Sequence, residues 1–221
     1  MNETKVITGH AQSEIIEKRS RFIANVYEIH SEEEALEILE SVRKQYYDAR
    51  HNCYAYVLGE HSETMRFSDD KEPQGTAGKP ILEVLTRQGY HNTLIVVTRY
   101  FGGILLGAGG LLRAYTQAAS EGLAQAEKEG SSSAVFHGRE LSVVCSYNLS
   151  GKIQYMISQM LIPLSDTVYD AEVTFRLTIP DEQYDMFIRK VTEATNAQAK
   201  ICEGARMSYI LSEGVPLPYQ F

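Results

Sequence analysis

Arginine and aromatic side chains set among glycines are the residues of this chain best suited to chemistry. Arg99, Tyr100 and Phe101 run into Gly102 and Gly103, then Gly107, Gly109 and Gly110, with Arg113 close behind and Lys79 some way ahead. A glycine turn that opens a helix offers unpaired backbone N–H groups and the positive end of the helix dipole, a ready anion site. Arg99 and Arg113 have the forked donors that grip phosphate, and Tyr100 or Phe101 the flat face on which a base stacks. These residues read as a nucleic-acid or anion surface. An architectural alternative stays open, in which the glycines let a helix and a strand pack closely and Arg113 pairs with a carboxylate such as Asp69. No G-K-[ST] follows the turn, and its glycines are out of phase for G-x-G-x-x-G after a strand.

A second group, Asp69, Asp70, Glu72, Gly75, Thr76 and Gly78, precedes the turn by about thirty residues and is expected to face it as a supporting loop. Its carboxylates have the chemistry to hold Mg²⁺ or to act as acid and base, or they are solvated turn residues. Their best functional version is an ion-pair partner that orients Arg99 or Arg113. His51 and Cys53 sit two apart in a strand-like string and share a face. Side chains side by side on one strand are poorly placed for proton transfer, so a core or interface histidine is the favoured reading. No G-x-S-x-G or H-E-x-x-H string occurs, no catalytic residue is assigned, and a binding protein is favoured over an enzyme.

The bulk properties narrow the field. A formal net charge of −8 over 221 residues argues against a broad basic footprint. Yet residues 76–115 carry Lys79, Arg87, Arg99 and Arg113 against Glu83 alone, a basic island on an acidic protein. The three cysteines are far apart and form no C-x-x-C or zinc-ligand spacing, so no metal and no cofactor are expected, in a reducing cytoplasm. No signal peptide and no run near the ~20 apolar residues of a membrane span are visible.

Periodicity predicts the elements that position these residues. Strands are expected at 5–8, 13–17, 21–28, 52–58, 64–67 and 93–100, the last a continuous apolar run suited to burial on both faces. Ser31 and Glu34 form a capping-box pattern ahead of a helix; a second helix ends near Gly89, and a third covers 111–127. Ser131, Ser132 and Ser133 read as the approach to a linker, dividing the chain into domains at 1–134 and 135–221. Beyond it the pattern is β-α-β-β-α-β, with strands from 139 to 147 and 199 to 209 at its ends. Tyr147, Tyr155, Tyr169, Tyr184 and Tyr209 are suited to stacking on bases if they line its open sheet face.

Three strings, DARHNCYAYV, SDDKEPQGTAGKPIL and VVTRYFGGILLGAGGLLRAYTQA, occur in order and together resemble the IMPACT family, in its bacterial two-part form. The resemblance implies an α+β chain. Its N-terminal domain is expected to have the fold of the second domain of a small-subunit ribosomal protein, with a left-handed βαβ crossover, and its C-terminal domain to be ferredoxin-like, resembling the last domains of elongation factor G. It further implies a role in regulating translation, with RNA, the ribosome or a protein as partner. Eukaryotic members carry an extra N-terminal domain that competes for a kinase activator; this chain begins on the shared part, so that route is not carried over. Two further functions stay open: an enzyme or binder acting on a phosphorylated small molecule, and a protein-interaction module. The family loop usually reads SDDGEPSGTAG, so Lys71 and Gln74 are departures. If that glycine needs positive φ, Lys71 is strained.

Overall fold

Alternation along the first strands and an unbroken apolar run in the seventh dictate how the N-terminal part is layered. A computed structural model describes residues 4–221, and the chain divides into one unit ending at Ala134 and a second spanning Val135–Gln220. The first unit holds β1 (Lys5–Ile7), β2 (His10–Glu17), β3 (Ser20–Glu28), α1 (Glu32–Gln45), β4 (His51–Leu58) and β5 (Thr64–Ser68). It continues with α2 (Gly78–Gln88), β6 (Tyr90–His91), β7 (Thr93–Tyr100), α3 (Gly107–Glu129) and β8 (Ser132–Ala134). Its main sheet has the order β2-β3-β7-β4-β5, with every neighbouring pair antiparallel. Since β7 opposes both β3 and β4, those two run parallel, and α1 joins them as a βαβ crossover over a strand made later in the sequence.

Leu94, Ile95, Val96 and Val97 of β7 are fully buried because both faces of the sheet are covered. On one side Phe22, Ala24, Cys53, Ala55, Ile95 and Val97 pack with Ile81, Leu85, Tyr115 and Ala118 of α2 and α3. On the other, Tyr56, Leu94 and Val96 meet Ala35, Leu39 and Val42 of α1. Burying each of these larger side chains contributes about 1.5–3 kcal/mol.

Helix ends depart from expectation in instructive ways. Ser31 caps α1 by accepting the Glu34 N–H at 3.1 Å, but the Glu34 carboxylate takes the N–H of His30 rather than that of Ser31. The third helix starts at Gly107, not near residue 111, so Gly107, Gly109 and Gly110 belong to its first turn. The serines at 132–133 do not lead into a linker. They form β8, which pairs with β1, while β1 pairs with β6 in a small three-stranded sheet.

The second unit comprises β9 (Phe136–Cys145), α4 (Tyr147–Gln159), β10 (Leu164–Tyr169) and β11 (Val173–Pro180). A 3₁₀ turn at Asp181–Gln183 follows, then α5 (Tyr184–Thr195), β12 (Lys200–Ser212) and β13 (Val215–Tyr219). Its antiparallel sheet has the order β10-β11-β9-β12-β13. Leu141, Val143, Phe175 and Ile179 of the strands pack against Ile153, Ile157, Phe187 and Val191 of α4 and α5. The whole is therefore α+β, with β13 added to the β-α-β-β-α-β series. No helix among the described residues is long and apolar enough to cross a membrane.

Candidate functional site

Arg99 lies near the end of β7, directly opposite Phe22 on β3 and His51 on β4. Strand alternation puts it on the same face as Val97, so a cation is carried into the edge of the core shared with α2 and α3. Glu72 meets it there: Arg99 Nη1 donates to Glu72 Oε1 at 2.7 Å, with the two side chains 7% and 3% exposed. The Tyr115 hydroxyl donates to the same oxygen at 2.9 Å. The guanidinium lies between the rings of Phe22 and Phe101, 5.5 and 5.6 Å from their centroids. Its Nε is buried and has no hydrogen-bond partner among the described residues.

Cys53 Sγ is 3.0 Å from the Asp69 carbonyl oxygen and 3.3 Å from the Tyr115 hydroxyl. Burial pushes both the thiol and the Tyr115 hydroxyl well above their ordinary ranges. Cys53 is therefore a protonated, packed thiol, and it makes no hydrogen bond with His51. The His51 ring Nδ1 instead donates to the Asp70 carbonyl at 2.9 Å.

The loop that delivers Glu72 is held by its own carboxylates. Asp69 accepts from the N–H groups of Gly75, Ala77 and Gly78 at 2.7, 3.0 and 2.8 Å, and so caps α2, whose N-cap residue Ala77 has no capping side chain. Asp70 Oδ2 accepts from the Asn52 N–H at 2.7 Å, and Thr76 Oγ1 donates to the Pro73 carbonyl at 2.6 Å. Asp69, Asp70 and Glu72 thus serve three separate tasks, and no group of three or more metal-ligating side chains occurs among the described residues. Asp70 and Lys71 have φ of +36° and +71°. Lys71 therefore occupies the left-handed region that favours glycine.

The glycines divide by role. Gly102 is held against the backbone of Arg19, where a Cβ would fall 2.0 Å from the carbonyl carbon, and Gly78 against that of Ser68 at 2.7 Å. These two are required for packing. Gly103 and Gly107 have positive φ with open space around them, and Gly109 and Gly110 lie in the first turn of α3. Lys79 is exposed on the first turn of α2 and Arg113 on the second turn of α3. Arg113 does not pair with Asp69, and it has no carboxylate within 4 Å among the described residues. The structure brings Arg99, Phe101 and Glu72 together; it leaves the other two cations at the surface.

Beside Arg99 the surface dips into a hollow of about 270 Å³ lined by Asp48, Arg50, His51, Arg99, Tyr100 and Phe101. A second, of about 400 Å³, is lined by Arg43, Tyr46, Tyr47, Ala49, Arg50, Asn52, Asp70 and Lys71, so that Arg50 belongs to both. Arg43, Arg50 and Lys71 have no carboxylate within 4 Å among the described residues. The Tyr100 hydroxyl donates to Asp48 at 2.7 Å, and burial together with that carboxylate holds its pKa up at about 12. Sequence reasoning missed Arg43, Tyr46, Tyr47, Asp48, Arg50 and Lys71 as site residues. The signal was the register of β4 on β7, which sets His51 opposite Arg99 and brings the residues just before β4 with it.

In the second unit the five tyrosines do not assemble on the open sheet face. Tyr147, Tyr155 and Tyr184 lie on helices, and Tyr209 is 1% exposed and stacks on Phe136. Tyr169 ends β10 beside the turn to β11.

Residues 18–123 match the Impact N-terminal domain, and residues 143–198 match a domain of unknown function, DUF1949. The IMPACT family member YvyE of Bacillus subtilis is 39% identical over 194 residues, 87% of each chain. The family member YigZ of Escherichia coli is 34% identical, over 83% of this chain and 89% of its own. A crystal structure described as that of a hypothetical protein is 32% identical with a TM-score of 0.54, covering 91% of this chain and 97% of that one. With such identity sustained over most of both chains, the protein belongs to the IMPACT family.

Proposed function

We propose that this protein binds RNA, free or in the ribosome, and through it acts on translation. The observation that carries the reading is the pair of adjoining hollows around Arg50. There three cations without carboxylate partners among the described residues, Arg43, Arg50 and Lys71, stand beside the rings of Tyr46, Tyr47, Tyr100 and Phe101. Cations that follow a phosphate backbone, interleaved with rings on which bases stack, are what single-stranded RNA requires of a protein. A focused cluster also reconciles RNA binding with a net charge of −8. The β3-α1-β4 crossover around β7 supports relating the first unit to the second domain of a small-subunit ribosomal protein. The β-α-β-β-α-β order supports relating the second to the last domains of elongation factor G. A cytoplasmic location goes with this role.

The test is equilibrium binding of a generic single-stranded RNA and of ribosomes at several salt concentrations, beside Arg43→Ala/Arg50→Ala. Wild-type binding is expected to fall with salt, and the double variant to weaken it. The variant should also flatten the slope by ~0.7 for each phosphate that it no longer neutralises. A folded double variant with unchanged affinity and slope would remove the assigned surface. Phe101, Ile104, Leu105 and Leu112 are 53%, 41%, 83% and 46% exposed around the glycine turn, and they favour a protein partner as the second reading. Partners that stay bound after nuclease treatment would favour it.

A further inference from the structure

Arg99 is an arginine only half used. Its Nη1 is committed to Glu72, yet neither Nε nor Nη2 hydrogen-bonds to a described residue, although the side chain is 7% exposed. Nε is sealed from solvent, so Nη2 is the donor left to take an oxygen of an anion. Burying a charge while leaving its Nε without a partner is costly. The Phe22 and Phe101 rings and the Glu72 carboxylate fix the group, so its unused donors cannot swing out to a ligand passing over the surface. A ligand has to enter the hollow to reach it.

The other walls of that hollow specify what enters. Arg50 brings a second cation with no carboxylate within 4 Å among the described residues. His51 has its Nδ1 taken by the Asp70 carbonyl, which leaves Nε2 without a partner among them. Asp48 is the one acidic lining residue. Its Oδ1 accepts from Tyr100, and its Oδ2 remains open to hydroxyl donors. A carboxylate beside an anion site repels a bare phosphate, but it suits a phosphate that arrives attached to ribose, whose hydroxyls it accepts. Phe101, half exposed at the rim, offers a ring to a base. At about 270 Å³ the hollow lies just below the ~300–1,000 Å³ of drug-sized ligand pockets, the scale of one small ligand.

We infer that the hollow formed by Asp48, Arg50, His51, Arg99, Tyr100 and Phe101 seats a single ribonucleotide carrying a terminal phosphate. The phosphate lies on Arg99 and Arg50, the ribose hydroxyls on Asp48 and the base against Phe101. The inference rests on the RNA-binding reading for its ligand class and narrows it from a backbone to a phosphorylated end. A phosphodiester within a strand carries chain on both sides; an end phosphate does not. The same chemistry is presented by a free nucleoside monophosphate and by the 5′-phosphate end of an RNA.

The experiment uses the full chain and two sets of probes. Calorimetric titration compares adenosine 5′-monophosphate, its 2′-deoxy analogue and adenosine; anisotropy compares one RNA sequence bearing a 5′-phosphate or a 5′-hydroxyl. Adenosine monophosphate is expected to saturate, with adenosine at least about tenfold weaker, as removal of one charge-assisted hydrogen bond requires. The exposed variant Arg50→Ala should reduce monophosphate affinity by a similar factor. Asp48→Asn should abolish the preference for ribose over deoxyribose. Preference for the 5′-phosphate RNA would place the ligand at an RNA end. Monophosphate binding without RNA binding would keep the seat and overturn the RNA reading. RNA binding indifferent to its 5′ group, with no monophosphate binding at millimolar concentration, would overturn the seat and keep that reading. Binding of no probe would overturn both.

Discussion

Glu72 has no water to fall back on, and neither does its partner. With the side chains 3% and 7% exposed, the desolvation of both groups is offset by the 2.7 Å ion pair, the Tyr115 hydroxyl and two flanking rings. Glu72→Ala removes the counter-charge and leaves a buried guanidinium, so a loss of about 3–5 kcal/mol is expected in urea unfolding. Glu40→Ala, which breaks the exposed Lys44 pair at 3.5 Å, should stay within ~0.5 kcal/mol. A loss for Glu72→Ala as small as that of the surface control would mean that Arg99 finds solvent when unpaired. The sequence carried a carboxylate from this loop as the orienting partner of Arg99 or Arg113. Which pair forms was not legible, because the choice depends on α3 bringing Tyr115 and not Arg113 toward Glu72. Asp48 and Arg50 were illegible for a related reason: an ordinary charged stretch becomes a site only through the register of β4 on β7.

At the level of elements, the loop from Asp69 to Gly78 is a bent strap held by its first residue. Asp69 ties down three N–H groups at the start of α2, and the strap accommodates this by turning through left-handed conformations at Asp70 and Lys71. A side chain in that region costs roughly 1–2 kcal/mol, against the smaller entropic cost of glycine. Lys71→Gly is therefore expected to raise stability by roughly 0.5–1 kcal/mol in the same unfolding assay. Destabilisation would show that the lysine side chain makes a compensating interaction. Elements with strong local signals were legible: the Ser31 cap, the Gly89 stop and the apolar strand at Thr93–Tyr100 all follow from neighbouring residues. Elements whose signal is non-local were not. The edge strand β13 contains Pro216 and Pro218, which read as strand breakers until β12 supplies a partner on one side only. The serines of β8 and the three glycines opening α3 have poor local propensity, and tertiary packing overrides it.

Across the whole molecule, the two units have separate apolar cores, one around Tyr115 and Phe22 and one around Phe175 and Phe187. A chain ending at Ala134 is expected to unfold in a single cooperative transition. One ending at Gly130 should be about 2–4 kcal/mol less stable, since it lacks the β1–β8 pairing and the 2.8 Å bond from Tyr90 to Ser132. Equal midpoints would show that β8 is dispensable. The placement of β7 between β3 and β4 has a consequence for synthesis. When residue 68 has left the ribosome, the β2-β3 and β4-β5 hairpins are complete, yet the strand that joins them into one sheet is not. At ~5–20 residues per second, roughly 2–6 s pass before Tyr100 follows it out. For that interval the nascent chain presents two open β edges facing an empty slot. Neighbouring nascent copies can fill the slot with the wrong strand, so this fold is most exposed to misassembly while it is still being translated.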